Sequence, residues 1–319
     1  MNSSSGKILV IRGGAIGDFI LTLPVITALR NQFPQAQLEV LGYPHIVQLA
    51  QAAGLVDRVQ SIEARALAGF FARNGILEPG LIEYFSRFHL IVSYLFDPDE
   101  VFKTNVARCT KAQFIAGPHR PNEAEKIHAT KVYLKPLERL AIFEADNLPR
   151  LTLNTQPKNG RADLPVGQDA RQRVPTIAIH PGSGSESKNW PEKNWADLLQ
   201  RLVDSTHLNF LLIGGEAEGE RLQRLARVLP NARIEIAQSL PLAELAQRLQ
   251  TCVTFVGHDS GISHLAAALG LPGLILWGDT IEEIWRPPHE KISVLKKTGG
   301  LKRIDVEEVI GELDRMLGI

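Results

Sequence analysis

Cysteine is scarce in this chain: Cys109 and Cys252 are the two among 319 residues. Neither stands at a metal or redox spacing, which excludes a disulfide scaffold and fits a reducing compartment. No sign of charge dominates, with 35 basic residues against 35 acidic ones. A balanced chain has no overall field to draw it to nucleic acid or to an anionic membrane, although local basic patches stay open. Long apolar runs are missing too. The start, Met1 to Lys7, leads into four apolar residues, too few for a secretory signal. The longest stretch without a formal charge, residues 260–278, is broken by His264, Pro272 and glycines, so it reads as helix, turn and strand and not as a membrane span. The nine histidines include no H-x-x-x-H spacing for zinc. There is no G-x-S-x-G elbow, no coherent Ser/His/Asp set and no solenoid repeat. A soluble, cytoplasmic protein with no bound metal is the expectation.

What is present is alternation. Short β-rich runs at 8–11, 37–41, 58–62, 90–94 and 113–116 interleave with helical patterns near 18–31, 45–53, 77–87 and 101–108. A second series follows, with strands at 176–180, 209–213, 233–236, 254–257 and 273–277. One helix there carries Trp195, Leu198, Leu199 and Leu202 on a single face. Nearly continuous apolar strands between helices predict an α/β fold of two Rossmann-like, doubly wound parallel sheets. Residues 1–155 form the expected N-terminal domain and 176–319 the C-terminal one, with a Pro- and Gly-rich linker over 156–175. The last helix, within 304–318, has an apolar face that suits either domain. In such folds the ligand lies beyond the carboxyl ends of the strands.

Three turns carry the chemistry. At Val256-Gly257-His258-Asp259-Ser260-Gly261-Ile262-Ser263-His264 an apolar strand ends in small and acidic residues, and an Ala-rich helix begins. Unpaired N–H groups at such a helix start favour an anion. Ser260 and Gly261 would present those groups, and Asp259 would cap the helix, bind Lys188 or meet a ribose hydroxyl. His264 suits hydrogen-bonded structure more than reaction. A second turn, His180-Pro181-Gly182-Ser183-Gly184-Ser185-Glu186-Ser187-Lys188, offers glycines for close approach, hydroxyls and a mobile ammonium, without the Walker spacing. Two phosphate-seeking turns in one half and a glycine turn in the other suggest a nucleotide-linked ligand held between domains.

That third turn is Arg12-Gly13-Gly14-Ala15-Ile16-Gly17-Asp18, with Glu39 placed toward the end of the next strand. It is a poor dinucleotide fingerprint, because Arg12 stands where the first glycine belongs and Asp18 would repel a pyrophosphate. Gly14 and Gly17 would clear space for a ligand and Asp18 would project a carboxylate, or else cap its helix. Glu216, after Gly214 and Gly215, is placed either to bind a ribose diol or simply to face solvent. Asp97 and Asp99 have D-x-D spacing, but two carboxylates make a thin shell and a turn explains both. Phe70 and Phe71 in Ala68–Arg73 fit either a core or a surface for lipid headgroups or a phosphorylated glycan.

Together these motifs resemble glycosyltransferase family nine, the bacterial lipopolysaccharide heptosyltransferases and their relatives. The likeness rests on K-I-L-V-I-R-G-G-A-I-G-D-x5-P at 7–24, H-P-G-S-G-S-x-x-K-x-W-P at 180–191 and D-S-G-I-S-H-L-A-A-A-L-G at 259–270. It implies a GT-B architecture, with the acceptor at the N-terminal domain and a nucleotide-sugar donor at the C-terminal one. It also implies an inverting, metal-independent transfer, with a nucleotide sugar such as ADP-heptose as co-substrate and no further cofactor. By position, Asp18 matches the general base and Lys188 the lysine on the donor diphosphate. Gly182, Ser183, Ser185 and Ser187 lie in the donor phosphate loop, and Asp259, Ser260, Gly261 and His264 in the second diphosphate turn. Glu216 resembles the ribose-contacting acid, while Leu240 and Leu242 fall where apolar residues flank the base. The expected partners are that donor and a lipid-linked or oligosaccharide acceptor, with peripheral contact at the inner face of the cytoplasmic membrane and no nucleic acid. Residues 64–99 depart from the family's acceptor segment, having Ser93-Tyr94-Leu95-Phe96-Asp97 there. Two other readings share the plan: a nucleotide-sugar epimerase and a non-catalytic nucleotide-binding protein.

Overall fold

A computed structural model describes residues 6–153, 174–184 and 188–318. Its chain falls into two compact units, Met1–Leu151 with Glu283–Trp285, and Thr152–Glu282 with Arg286–Ile319. Most of the predicted linker lies outside the described residues.

The first unit carries β1 (Lys7–Arg12), α1 (Ile16–Ile20), α2 (Leu23–Gln32), β2 (Gln37–Gly42), α3 (Pro44–Ala52), β3 (Arg58–Ser61), α4 (Pro79–Ser86), β4 (Leu90–Ser93), α5 (Val101–Ala107), β5 (Gln113–Ala116) and α6 (Ala129–Leu134). Its five strands are all parallel, in the order β3-β2-β1-β4-β5. The rest of the chain adds β6 (Thr176–His180), α7 (Glu192–Ser205), β7 (Asn209–Gly214), α8 (Gly219–Ala226), β8 (Ile234–Gln238), α9 (Leu242–Leu249), β9 (Thr254–His258), α10 (Gly261–Ala268), β10 (Gly273–Trp277), α11 (Glu282–Trp285), β11 (Ile292–Lys296) and α12 (Val306–Leu317), all in the second unit except α11, which is counted with the first from Glu283 on. The six strands there are parallel in the order β11-β10-β9-β6-β7-β8. Each sheet starts in its middle, extends one way, then returns to the middle and extends the other. The reversal leaves a crevice between β1 and β4 in one unit and between β6 and β9 in the other, where the strands' carboxyl ends open.

Burial explains the sheets. Leu9, Val10 and Ile11 on β1, and Ile177, Ala178 and Ile179 on β6, are fully buried, as strands covered on both faces must be. Around β6, the α7 stripe of Trp195, Leu198, Leu199 and Leu202 packs with Leu212, Leu222 and Leu276. The same core takes Val306, Val309 and Leu313, so the last helix packs within the second unit. A reciprocal cap starts that helix, with Glu308 accepting from the Asp305 N–H at 3.1 Å.

Three local features differ from the sequence expectation. The helix predicted near 18–31 is two helices. Pro24 has no N–H to continue the ladder, and the Asp18 carbonyl is taken by the Thr22 hydroxyl at 2.8 Å. Strand β11 was not predicted: it pairs only with β10 and is half-buried, so its alternation is weak. Helix α6, six residues long, is too short for a 3.6 period to register.

The second core's dependence on α7 is testable. Leu199→Ala removes a wholly buried side chain, and urea unfolding is expected to show a loss of about 2–5 kcal/mol with the fold retained. A loss below that range would mean the helix is not a principal wall of the core.

Candidate active site

In the first unit the turn after β1 is organised by a buried cation. Arg12 is the last residue of β1, and its guanidinium is almost wholly enclosed. Nη1 donates to the carbonyls of His119 at 2.9 Å and Tyr94 at 3.4 Å, while Nε and Nη2 each reach the Asp18 carbonyl at 3.4 Å. Nη2 also lies 3.4 Å from the Asp18 carboxylate, and the Tyr133 ring lies under the cation at 4.6 Å. The Tyr94 hydroxyl, 2.6 Å from the Tyr133 carbonyl, closes the network. The loops following β1, β4 and β5 are thereby tied to one group.

Asp18 sits in the first turn of α1, where its other carboxylate oxygen accepts the Ala15 N–H at 3.0 Å. Asp18 satisfies the helix start, and its side chain stays about 29% exposed. Gly14 has φ +98°, and a Cβ there would come within 2.7 Å of the Asp18 carboxylate. Gly17 lies inside α1. Glu39 is the third of six residues in β2 and is buried, with Arg58 at 4.0 Å, so it is neither near the strand's end nor placed to meet a ribose. Asp97 caps α5, accepting from the N–H groups of Phe102 and Lys103 at 3.0 Å, and Asp99 pairs with Arg73. Phe70 belongs to the core with Phe85, whereas Phe71 is half exposed.

In the second unit the turns after β6 and β9 flank the other crevice. They are joined by His258, the last residue of β9, which is fully buried. Its Nε2 accepts the Trp190 N–H at 2.8 Å, which leaves Nδ1 as the donor to the Gly182 carbonyl at 3.2 Å. Both ends of the 182–190 loop are thus fixed to one imidazole. The Trp190 indole donates to the Ile304 carbonyl at 3.0 Å and meets the Trp195 ring edge-on. Burial pushes His258 down to about 3 and His180 down to about 4, so both stay neutral at pH 7. Their hydrogen bonds shape the loops without adding charge.

The charge beside these turns comes from Lys188, whose ammonium lies 3.5 Å from Asp259. Of the three alternatives for Asp259, contact with Lys188 is the one observed. Its carboxylate also accepts from the Thr280 hydroxyl at 2.5 Å, a partner with no sequence signal because it arrives from the loop after β10. Lys188 is nearly half exposed, so the pair contributes little to folding and the ammonium can change partner cheaply. Ser260 precedes α10 in an extended conformation without a side-chain cap, which leaves the first helical N–H groups at Gly261 and Ile262 directed outward. Its hydroxyl lies 3.3 Å from His180 Nδ1. Ser183 donates to Asn189 at 2.8 Å, and His264 is buried in α10. Ser185 and Ser187 lie outside the described residues.

Glu216 is exposed to solvent, and the acid facing the turns is Glu218, which accepts the Gly215 N–H at 2.9 Å. A Cβ on Gly182 would strike Glu218 at 2.6 Å, so that glycine is needed for the acid to pack there. Glu218 lines a cavity of about 250 Å³ with Gly184, Asn189, Arg221 and Arg224. Glu216 and Glu218 both lie in the loop before α8, and nothing in the spacing tells which acid turns inward. Leu242 is the buried first residue of α9, and Leu240 is partly exposed.

Residues 128–309 match glycosyltransferase family 9 (heptosyltransferase). The chain belongs to this family. Lipopolysaccharide heptosyltransferase 1 of Pseudomonas aeruginosa is 38% identical over 285 residues, covering 86% of this chain and 79% of that protein. Among solved structures, Escherichia coli ADP-heptose lps heptosyltransferase II superposes with a TM-score of 0.76 at 19% identity, over 98% of both chains. Escherichia coli heptosyltransferase WaaC with ADP gives 0.71 at 18% identity, over 97% of this chain and 99% of that one. The family 9 protein thus has the GT-B fold of two Rossmann-like units and is a glycosyltransferase of the heptosyltransferase class. No helix among the described residues is long and apolar enough to cross a membrane.

The buried histidines give this glycosyltransferase an acid sensitivity. An unfolded chain protonates imidazole near pH 6.5, whereas the folded one does so only near 4 and 3, so acid favours the unfolded state. Stability present above pH 6.5 is expected to fall by up to about 1.4 kcal/mol per pH unit for each histidine as pH drops toward 4. Urea titrations between pH 7.5 and 4.5 measure this, and a flat profile down to pH 5 would show that these imidazoles are not held neutral.

Proposed function

We propose that this family 9 enzyme transfers heptose from ADP-heptose onto a lipopolysaccharide core or related glycan, with inversion at the anomeric carbon. The observation that carries the donor assignment is the Lys188–Asp259 pair, set between two turns at the β6/β9 crevice. An exposed ammonium and uncapped helix N–H groups together suit a diphosphate. The relatives support the nucleotide: solved structures at 18–19% identity show WaaC with ADP and with ADP-2-deoxy-2-fluoro heptose.

In this reading the diphosphate takes Lys188 from Asp259, and Asp259 keeps Thr280 as its partner. Cleavage of the anomeric C–O bond builds negative charge on the leaving diphosphate. Lys188 and the N–H groups at Ser260 and Gly261 stabilise that charge as it forms. Gly182 and Ser183 flank the phosphate path in this reading, and the family resemblance assigns Ser185 and Ser187 to the same loop. Glu218 replaces Glu216 as the acid for the ribose diol, and Leu240 is left as the apolar neighbour of the base. Asp18 accepts the proton of the attacking acceptor hydroxyl, on the face of the anomeric carbon opposite the leaving group. Its bonds to Ala15 and Arg12 engage each oxygen once and leave lone pairs for that proton. The nucleotide sugar is a co-substrate and the chemistry calls on no metal. A lipid-linked acceptor places the enzyme in the cytoplasm, at the inner face of the membrane.

Two substitutions separate these roles. Asp18→Asn is expected to lower kcat by at least ~10²-fold while ADP affinity stays near normal. Unchanged turnover would remove Asp18 as the base. Lys188→Ala should weaken ADP binding, and thermal shifts report it. A nucleotide at 100 times its Kd stabilises the native state by ~2.7 kcal/mol, and that gain should shrink in the variant. Equal shifts in both proteins would refute the diphosphate assignment.

A further inference from the structure

Between the carboxyl ends of β4 and β5 the first unit has a cavity of about 230 Å³, lined by Ser93, Phe96, Asp97, Lys103, Phe114 and His119 among others. It is smaller than the ~300–1,000 Å³ of sites for drug-sized ligands and suits a single ring. Phe96 stands at its wall 70% exposed, although a large apolar side chain gains from burial. Its ring lies 4.6 Å from that of His119, tilted by 59°. The two side chains are exposed, yet their loops are not loose: Arg12 holds the carbonyls of Tyr94 and His119 with the same guanidinium that pairs with the Asp18 carboxylate. One buried cation therefore separates this aromatic wall from the proposed base.

From these placements we infer that the Phe96–His119 pair is a stacking platform for an uncharged pyranose ring of the acceptor glycan. The assignment rests on the transferase reading. An aromatic face, negative at its centre, attracts the polarised C–H bonds on one face of a sugar ring. The rim charges select the kind of sugar. Asp97 and Glu100 supply two carboxylates against the single ammonium of Lys103, which already pairs with Glu100 at 2.7 Å. Carboxylates accept hydrogen bonds from sugar hydroxyls and repel a phosphate or a second carboxylate. A neutral hexose or heptose fits this rim, and a phosphorylated or acidic sugar does not.

Phe96 contributes little to the core, so Phe96→Ala should fold normally, and circular dichroism checks this. Saturation-transfer NMR on the full chain, with methyl glycosides of neutral hexoses and heptoses and of a hexuronic acid, tests the platform directly. Wild-type protein should saturate ring protons of a neutral glycoside, Phe96→Ala should weaken its binding by about 3–10-fold, and the uronate should give no signal. Absent saturation in the wild type, equal binding by the variant, or preference for the uronate would each overturn the proposal. A transfer assay keeps the two readings apart. If the glycoside binds and depends on Phe96 but no sugar is transferred, the transferase reading fails and the platform stands. If sugar is transferred with an acceptor KM unchanged in Phe96→Ala, the platform fails alone.

Discussion

Arg12 is enclosed at the end of the central strand of the first sheet, and a cation in that position must be answered from every side. Removing a guanidinium from water costs several kcal/mol unless its donors are met. Here carbonyls from three loops, one carboxylate and an aromatic face meet them. Those carbonyls lie beyond the carboxyl ends of the neighbouring strands β1, β4 and β5. Their convergence fixes where Asp18 points and how the β4 and β5 loops border the crevice. The carboxylate that balances the charge is itself about 29% exposed, so a group that meets solvent is held by a buried cation.

The second unit meets a related problem with neutral groups. A loop rich in glycine and serine has little of its own to hold its shape, and glycine enlarges the conformational freedom that must be lost. His258 binds both ends of the loop, with one nitrogen donating and the other accepting, and burial keeps it uncharged. A protonated imidazole would lose its acceptor and with it the Trp190 contact. Positive charge is left to Lys188, on a flexible stem at the surface. Shape and charge are assigned to different residues, which lets the charged one move without loosening the loop.

Much of this was legible in the chain. Ten of the eleven strands among the described residues were visible as apolar runs between helical patterns, whereas β11, half-buried and ending in Lys296, was not. The three turns were visible because glycine, serine and acid between a strand and a helix have few other uses. What stayed hidden depends on tertiary contact. Arg12 read only as a residue standing in a glycine's place, since nothing local shows that the carbonyls of two distant loops accept from it. Thr280 arrives from another strand. Glu216 and Glu218 are separated by two positions in one loop, and only the packing of Gly182 tells them apart. Leu242 is apolar, as a base-flanking residue would be, but its helix turns it into the core.

The bond from the Trp190 indole to the Ile304 carbonyl spans 114 positions of chain. At translation rates of ~5–20 residues per second, its acceptor is made roughly 6–23 seconds after its donor. The upstream loop therefore waits, on the ribosome, for a segment made more than a hundred residues later. Until then the tryptophan is an apolar surface without a cover, and a stalled or shortened product would keep it so. The principal network of the N-terminal unit has a similar span, since Arg12 and its most distant carbonyl, that of His119, lie 107 positions apart.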